Sequence, residues 1–201
     1  MNIDSLMVPN PITVSVHTRI EEALELMKIN SIRHLPVIDS KKHLRGLLTL
    51  SDLKQALLPS MLGDLNLQDM MIKKPMTVAP SDDIEIAAKI IYHHKISGLP
   101  VVQGRRLVGI ITDSDILHAF IEMMGILSGS ARIDLTTGQD PADLNRAIQI
   151  IQAQGGDIIN VGMTAQQSAN RTYYFRLASC DTQPIIDALE SAGFRVQAAM
   201  R

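Results

Sequence analysis

The sequence predicts an α+β protein of three small modules: two copies of a strand-helix-strand-strand-helix unit, then a βαββαβ unit. Three observations carry this reading. The first half repeats itself at an offset of 64 positions, both copies change from helical to strand periodicity at the same points, and composition shifts beyond residue 125. The offset aligns Met7, Pro11, Thr13, Val14, Ile20, Glu21, Ala23, Ile32, Leu35, Pro36 and Val37 with Met71, Pro75, Thr77, Val78, Ile84, Glu85, Ala87, Ile96, Leu99, Pro100 and Val101. The register then slips by one residue between Asp39 and His43, after which Leu44, Gly46, Thr49, Ser51 and Asp52 match Leu107, Gly109, Thr112, Ser114 and Asp115. A slip confined to a polar turn is what a hairpin tolerates.

Within the first copy, Thr18 and Glu21 have the spacing of a capping box, and Ile20, Ala23, Leu24 and Met27 follow as a helical stripe. Asp82 and Glu85 hold the equivalent positions in the second, ahead of Ile84, Ala87, Ala88 and Ile91. Leu35–Ile38 and Leu44–Leu48, and likewise Leu99–Val102 and Leu107–Ile111, read as pairs of apolar strands joined by hairpins. A second helix opens near Ser51-Asp52 and Ser114-Asp115, with the carboxylate where it caps free amides and suits the helix dipole. Gly125, Ser128, Gly129 and Ser130 then mark a linker. The division expected is 1–63, 64–124, a linker at 125–130, and 131–201. The third module reads as a strand at 132–135, a helix opening at Pro141, strands at 158–163 and 172–177, a helix carrying Ile185, Ile186 and Leu189, and a last strand at 194–197. That order is the split-βαβ, ferredoxin-like sandwich.

Composition narrows the function. A net charge of -2 over 201 residues, with 19 basic and 21 acidic side chains, supplies no field for nucleic acid or an anionic membrane. Aromatics at 3% and the absence of Trp argue against a base-stacking platform. The single cysteine, Cys180, cannot form an internal disulfide, and no leader-like or membrane-spanning run occurs, so a cytoplasmic protein is expected. His93 and His94 are adjacent, so both cannot face one ion, and no metal site is expected.

The strongest constellation is a doubled Gly-x-x-Thr-x-x-Asp: Gly46, Thr49, Asp52 and Gly109, Thr112, Asp115. At a strand-to-helix junction it offers a close-approach glycine, a hydroxyl, helix N-terminal amides for phosphate, and a carboxylate able to accept from two vicinal hydroxyls. Those are the needs of a ribose phosphate. The same Thr and Asp also suffice to end a strand and cap a helix with no ligand at all.

With Met-x-x-x-Pro-x-Thr-Val opening each copy and Leu-Pro-Val in each first strand, residues 1–122 resemble a tandem of cystathionine-β-synthase (CBS) domains, a Bateman module. The resemblance implies two repeats packed about a pseudo-two-fold axis, with two clefts for adenosine nucleotides (AMP, ADP, ATP) or S-adenosylmethionine as a regulatory ligand. It assigns Asp52 and Asp115 to ribose hydroxyls and Thr49 and Thr112 to the neighbourhood of phosphate, with Ser114 beside them. Thr13, Val14, Thr77 and Val78, with Arg33, His34, Leu35, Pro36 and Ser97, Gly98, Leu99, Pro100, would frame the base. Arg33-His34 against Ser97-Gly98 makes two inequivalent sites the expectation. The third module resembles an ACT domain through Gly138, Asp140, Pro141 and Ala142, the loop that would hold a small metabolite, although Ala142 stands where that family tends to have Gly. The order CBS, CBS, ACT is similar to AcuB-type acetoin utilisation proteins. The resemblance implies a homodimeric sensor with an unidentified protein partner and no chemistry of its own; no nucleotide-triphosphatase, dinucleotide or nucleophile-elbow motif occurs. A scaffold that has lost its ligand is the alternative.

Overall fold

In the computed structural model, described for residues 1–56, 66–127, 130–138, 140, 142–163 and 171–200, the chain forms two compact units, Met1–Leu117 and His118–Arg201. The expected boundary near residue 63, and Ser128, Gly129 and Pro141, lie outside the described residues.

The first unit holds β1 (Val8–Pro9), α1 (Ile20–Ile29), β2 (His34–Ile38), β3 (Leu44–Thr49), α2 (Leu50–Ala56), α3 (Leu67–Met70), α4 (Ile84–His94), β4 (Gly98–Gln103), β5 (Arg106–Thr112) and the start of α5 (Asp113–Met123). The apolar stripes do what their spacing demands. Ala23 and Met27 of α1 and Ile84 and Ala87 of α4 are buried, and the first repeat's core gathers Ala23 and Met27 with Leu35, Val37, Leu48 and Leu53. Neither expected capping box forms at these helices. The N-caps are Arg19 and Asp83, one residue later, while Thr18 Oγ1 accepts from the Ser15 N–H at 3.1 Å and Asp82 Oδ2 from the Ala79 N–H at 2.8 Å. Both acceptors are occupied in closing the turn that precedes the helix, and the turn is duplicated like the rest.

The strands pair as β2-β3 and as β1-β5-β4. The opening segments are thereby exchanged: Val8 and Pro9, from the first repeat, face Ile110 and Gly109 of the second, and Ile72, from the second, bridges Leu47 of the first with bonds of 3.1 and 2.9 Å. The motif glycines serve this crossing. A Cβ on Gly46 would meet Met71 Sδ at 2.6 Å, and one on Gly109 would meet Met7 Sδ. The register slip lies in the hairpins. The second turns through Gly104-Arg105 with Gly104 at φ +64°, whereas the first is longer, carries Lys42 at φ +61°, and is closed by Asp39. The Asp39 carboxylate accepts from the His43 and Lys41 N–H groups and from Arg45, bonds that hold its pKa at about 2.

The second unit contains β6 (Ser130–Thr137), α6 (Ala142–Ala153), β7 (Ile158–Met163), β8 (Arg171–Ala178), α7 (Gln183–Ser191) and β9 (Arg195–Met200). Its sheet order β7-β8-β6-β9, antiparallel throughout, has the βαββαβ connectivity expected of the sequence. Ile133, Leu135, Phe175 and Leu177 bury one sheet face against Ala147 and Ile151 of α6 and Ile185 and Leu189 of α7. Gly155 and Gly193, at φ +81° and +88°, end the two helices in the left-handed conformation that glycine adopts without strain. Among the described residues, no helix is long and apolar enough to cross a membrane.

Candidate functional site

Because the opening segments cross, each Thr-x-x-Asp turn faces residues of the other repeat. In the first cleft, of about 570 Å³, Thr49, Ser51 and Lys54 of the first repeat meet Ile72, Pro75, Met76 and Lys95–Gly98 of the second. In the second, of about 310 Å³, Thr112, Ser114 and Asp115 of the second repeat meet Val8, Pro11, Ile12 and Ser31–His34 of the first. The two linings correspond almost position for position under the repeat. Arg33 and His34 also border the first cleft.

The Thr and Asp of each turn form a capping box. Asp52 Oδ2 accepts from the Thr49 N–H at 3.1 Å and from Thr49 Oγ1 at 2.7 Å, while Thr49 Oγ1 accepts from the Asp52 N–H at 3.3 Å. Thr112 and Asp115 repeat this at 2.8, 2.7 and 3.4 Å. One oxygen of each carboxylate thus fixes the turn; Oδ1 has no hydrogen bond among the described residues and is the atom a ligand hydroxyl could reach. Asp115 lines the second cleft, whereas Asp52 does not line the first.

Between the clefts the two strand starts touch. His34, 7% exposed, lies 2.9 Å through Nε2 from Ser97 Oγ, and a Cβ on Gly98 would sit 3.0 Å from the same ring nitrogen. Burial, reinforced by the Arg33 charge, pushes the His34 pKa below 6.5, so the ring is neutral near pH 7. Arg33 reaches Asp113 at 3.4 Å.

The remaining expected residues divide. Val14 and Val78 are buried, and their N–H groups donate to Pro36 and Pro100 carbonyls at 3.1 and 3.2 Å; Thr13 and Thr77 precede them, while Pro11, Ile12, Pro75 and Met76 line the clefts instead. Leu35 and Leu99 are wholly buried in the core, and Pro36 and Pro100 are buried beside them. In the second unit, Asp140 Oδ1 accepts from the Ala142 N–H at 2.8 Å at the start of α6, and Gly138 is exposed. No group of three metal-ligating side chains occurs among the described residues. Sequence reading missed Lys54, Lys74 and Lys95, which line the first cleft. Comparing the repeats position by position could have found them, once the crossing was known.

Two repeats that exchange opening segments and enclose two related clefts define a tandem-repeat module with a duplicated site. The chain belongs to the CBS-domain family, whose model matches residues 3–59 and 67–122. The chain is 33% identical over 145 residues to an inosine-5'-monophosphate dehydrogenase of Korarchaeum cryptofilum, covering 72% of this chain and 29% of that enzyme. The chain therefore spans less than a third of that relative's length. Among solved structures, it is similar to the Vibrio cholerae protein assigned to acetoin utilization, AcuB (33% identity, 63% of this chain and 94% of that one, TM-score 0.57). It is also similar to the CBS domain pair of protein MJ0100 in complex with 5-methylthioadenosine and S-adenosyl-L-methionine (29%, 60% and 95%, 0.56), and to CBSX2 in complex with AMP (29%, 60% and 96%, 0.54).

Proposed function

We propose that this chain is a regulatory protein without chemistry of its own, which binds adenosine nucleotides or S-adenosylmethionine in the two clefts of its CBS pair. The observation that carries the reading is Asp115: it is fixed through one oxygen by its own turn, and its cleft is completed by Pro11, Ile12 and Arg33 of the other repeat. A ligand held there contacts both repeats at once and favours the arrangement of the pair that it fits. The adenosine ligands of the MJ0100 and CBSX2 pairs support the ligand class. The βαββαβ unit is read as ACT-like, dimerising the chain or sensing a small metabolite, and the likeness to AcuB supports a link to acetoin metabolism.

Calorimetric titration of AMP, ADP, ATP and S-adenosylmethionine into wild type, Asp52→Ala and Asp115→Ala tests this. Binding by wild type that is weakened in Asp115→Ala is expected; no binding up to about 1 mM abandons the reading. The capping boxes favour a second reading, a partner-binding scaffold, because they give Thr and Asp a complete structural role without ligand. Wild-type affinity retained in both Ala variants would move the site elsewhere.

A further inference from the structure

The clefts share a frame but not a charge. Lys54, Lys74 and Lys95 line the first and, among the described residues, no carboxylate does; the second has the carboxylate of Asp115, and Arg33, already paired with Asp113, borders both. Under the repeat, Lys54 corresponds to Leu117, Lys74 to Asn10 and Lys95 to Ser31; of these counterparts Ser31 lines the second cleft, and Asn10, at φ +47°, departs from the backbone of Lys74. Lys95 and Ser31 even share a left-handed conformation, at φ +54° and +53°. None of the three lysines has an acidic partner within ion-pair distance among the described residues; Lys95 Nζ lies 4.4 Å from the Tyr92 ring centroid. The first cleft is also the larger by the volumes above, and three unpaired ammonium groups around one concavity repel one another unless an anion is present.

We propose that the first cleft is a polyphosphate subsite, which takes a nucleoside di- or triphosphate, while the second takes an adenosine compound without regard to phosphate number. This rests on the adenosine reading above. The lysines would hold the phosphates beyond the first as point charges.

The test is titration of adenosine, AMP, ADP and ATP into the full chain in metal-free buffer, with wild type, a K54L/K74N/K95S triple variant and an S31K variant. Each substitution installs the residue that the other repeat already carries at that position, and a thermal melt checks folding. Wild type should show one site whose affinity rises about tenfold from AMP to ATP and falls with added salt, and one site that does not discriminate. The triple variant should lose the gain while keeping adenosine, and S31K should acquire a gain at the second site. ATP binding no tighter than AMP, or a gain that survives in the triple variant, overturns the proposal and leaves the adenosine reading standing. Failure of all four compounds to bind overturns this proposal, and failure of S-adenosylmethionine as well overturns the adenosine reading. Should the triple variant not fold, K74N alone and the salt dependence of wild type decide by the same criteria.

Discussion

The two clefts of the CBS pair are one construction used twice with different linings. Where a residue holds the frame, the repeats agree: Gly46 and Gly109 admit the crossing segments, Thr49-Asp52 and Thr112-Asp115 close matching capping boxes, and Val14 and Val78 bond Pro36 and Pro100. Where a side chain faces a cleft, they diverge at several positions: Lys95 against Ser31, Arg33 against Ser97, His34 against Gly98. Duplicating a fold duplicates its steric and hydrogen-bonding requirements. Lining positions carry no such requirement, so the chemistry of each cleft is set independently of the frame.

Perturbing the frame should therefore act equally on both halves. Gly46→Val and Gly109→Val push a side chain into Met71 and Met7 and the adjacent backbone, and each should cost roughly 1–3 kcal/mol in urea unfolding. A large loss at one glycine and none at the other would break the equivalence of the crossings. Removing the caps is milder: Thr49→Ala and Thr112→Ala should each lower stability by about 1 kcal/mol, and by the same amount.

His34 tests the asymmetry. Its folded pKa lies below 6.5, so on acidification the unfolded chain takes up a proton that the buried ring refuses; stability is lost as pH falls through 6.5. Denaturation of wild type and His34→Gln at about pH 7.5 and 5.5 should show a smaller acid loss in the variant, and identical losses would exclude His34 as the group. The smallest effect is expected from Arg33→Ala. Its ion pair with Asp113 is exposed on both sides, so unfolding stability should change by under about 1 kcal/mol.

Much of this was readable in one dimension. The offset of 64 located both repeats, and the apolar stripes of α1 and α4 and the strands around Leu-Pro-Val fell where periodicity put them, because those patterns are local and fixed by 3.6- and 2-residue geometry. The capping residues were displaced by one position, since Thr18 and Asp82 could serve either a turn or a helix and the choice depends on backbone three residues upstream. The glycine of each motif looked like a place for a ligand and proved to be a place for Met71 or Met7.

Sequence by itself determined that the chain carries two copies of one unit, that each ends in a Thr-x-x-Asp turn, and that a module of different composition follows. Tertiary structure alone decided which turn faces which strand. Pairing β1 with β5 and Ile72 with Leu47 joins residues far apart in the chain, and no local pattern encodes that choice. It sets Thr49 opposite Pro75, Met76 and Ser97, and Thr112 opposite Pro11, Ile12 and Arg33, and so gathers three lysines scattered along the sequence around one cleft.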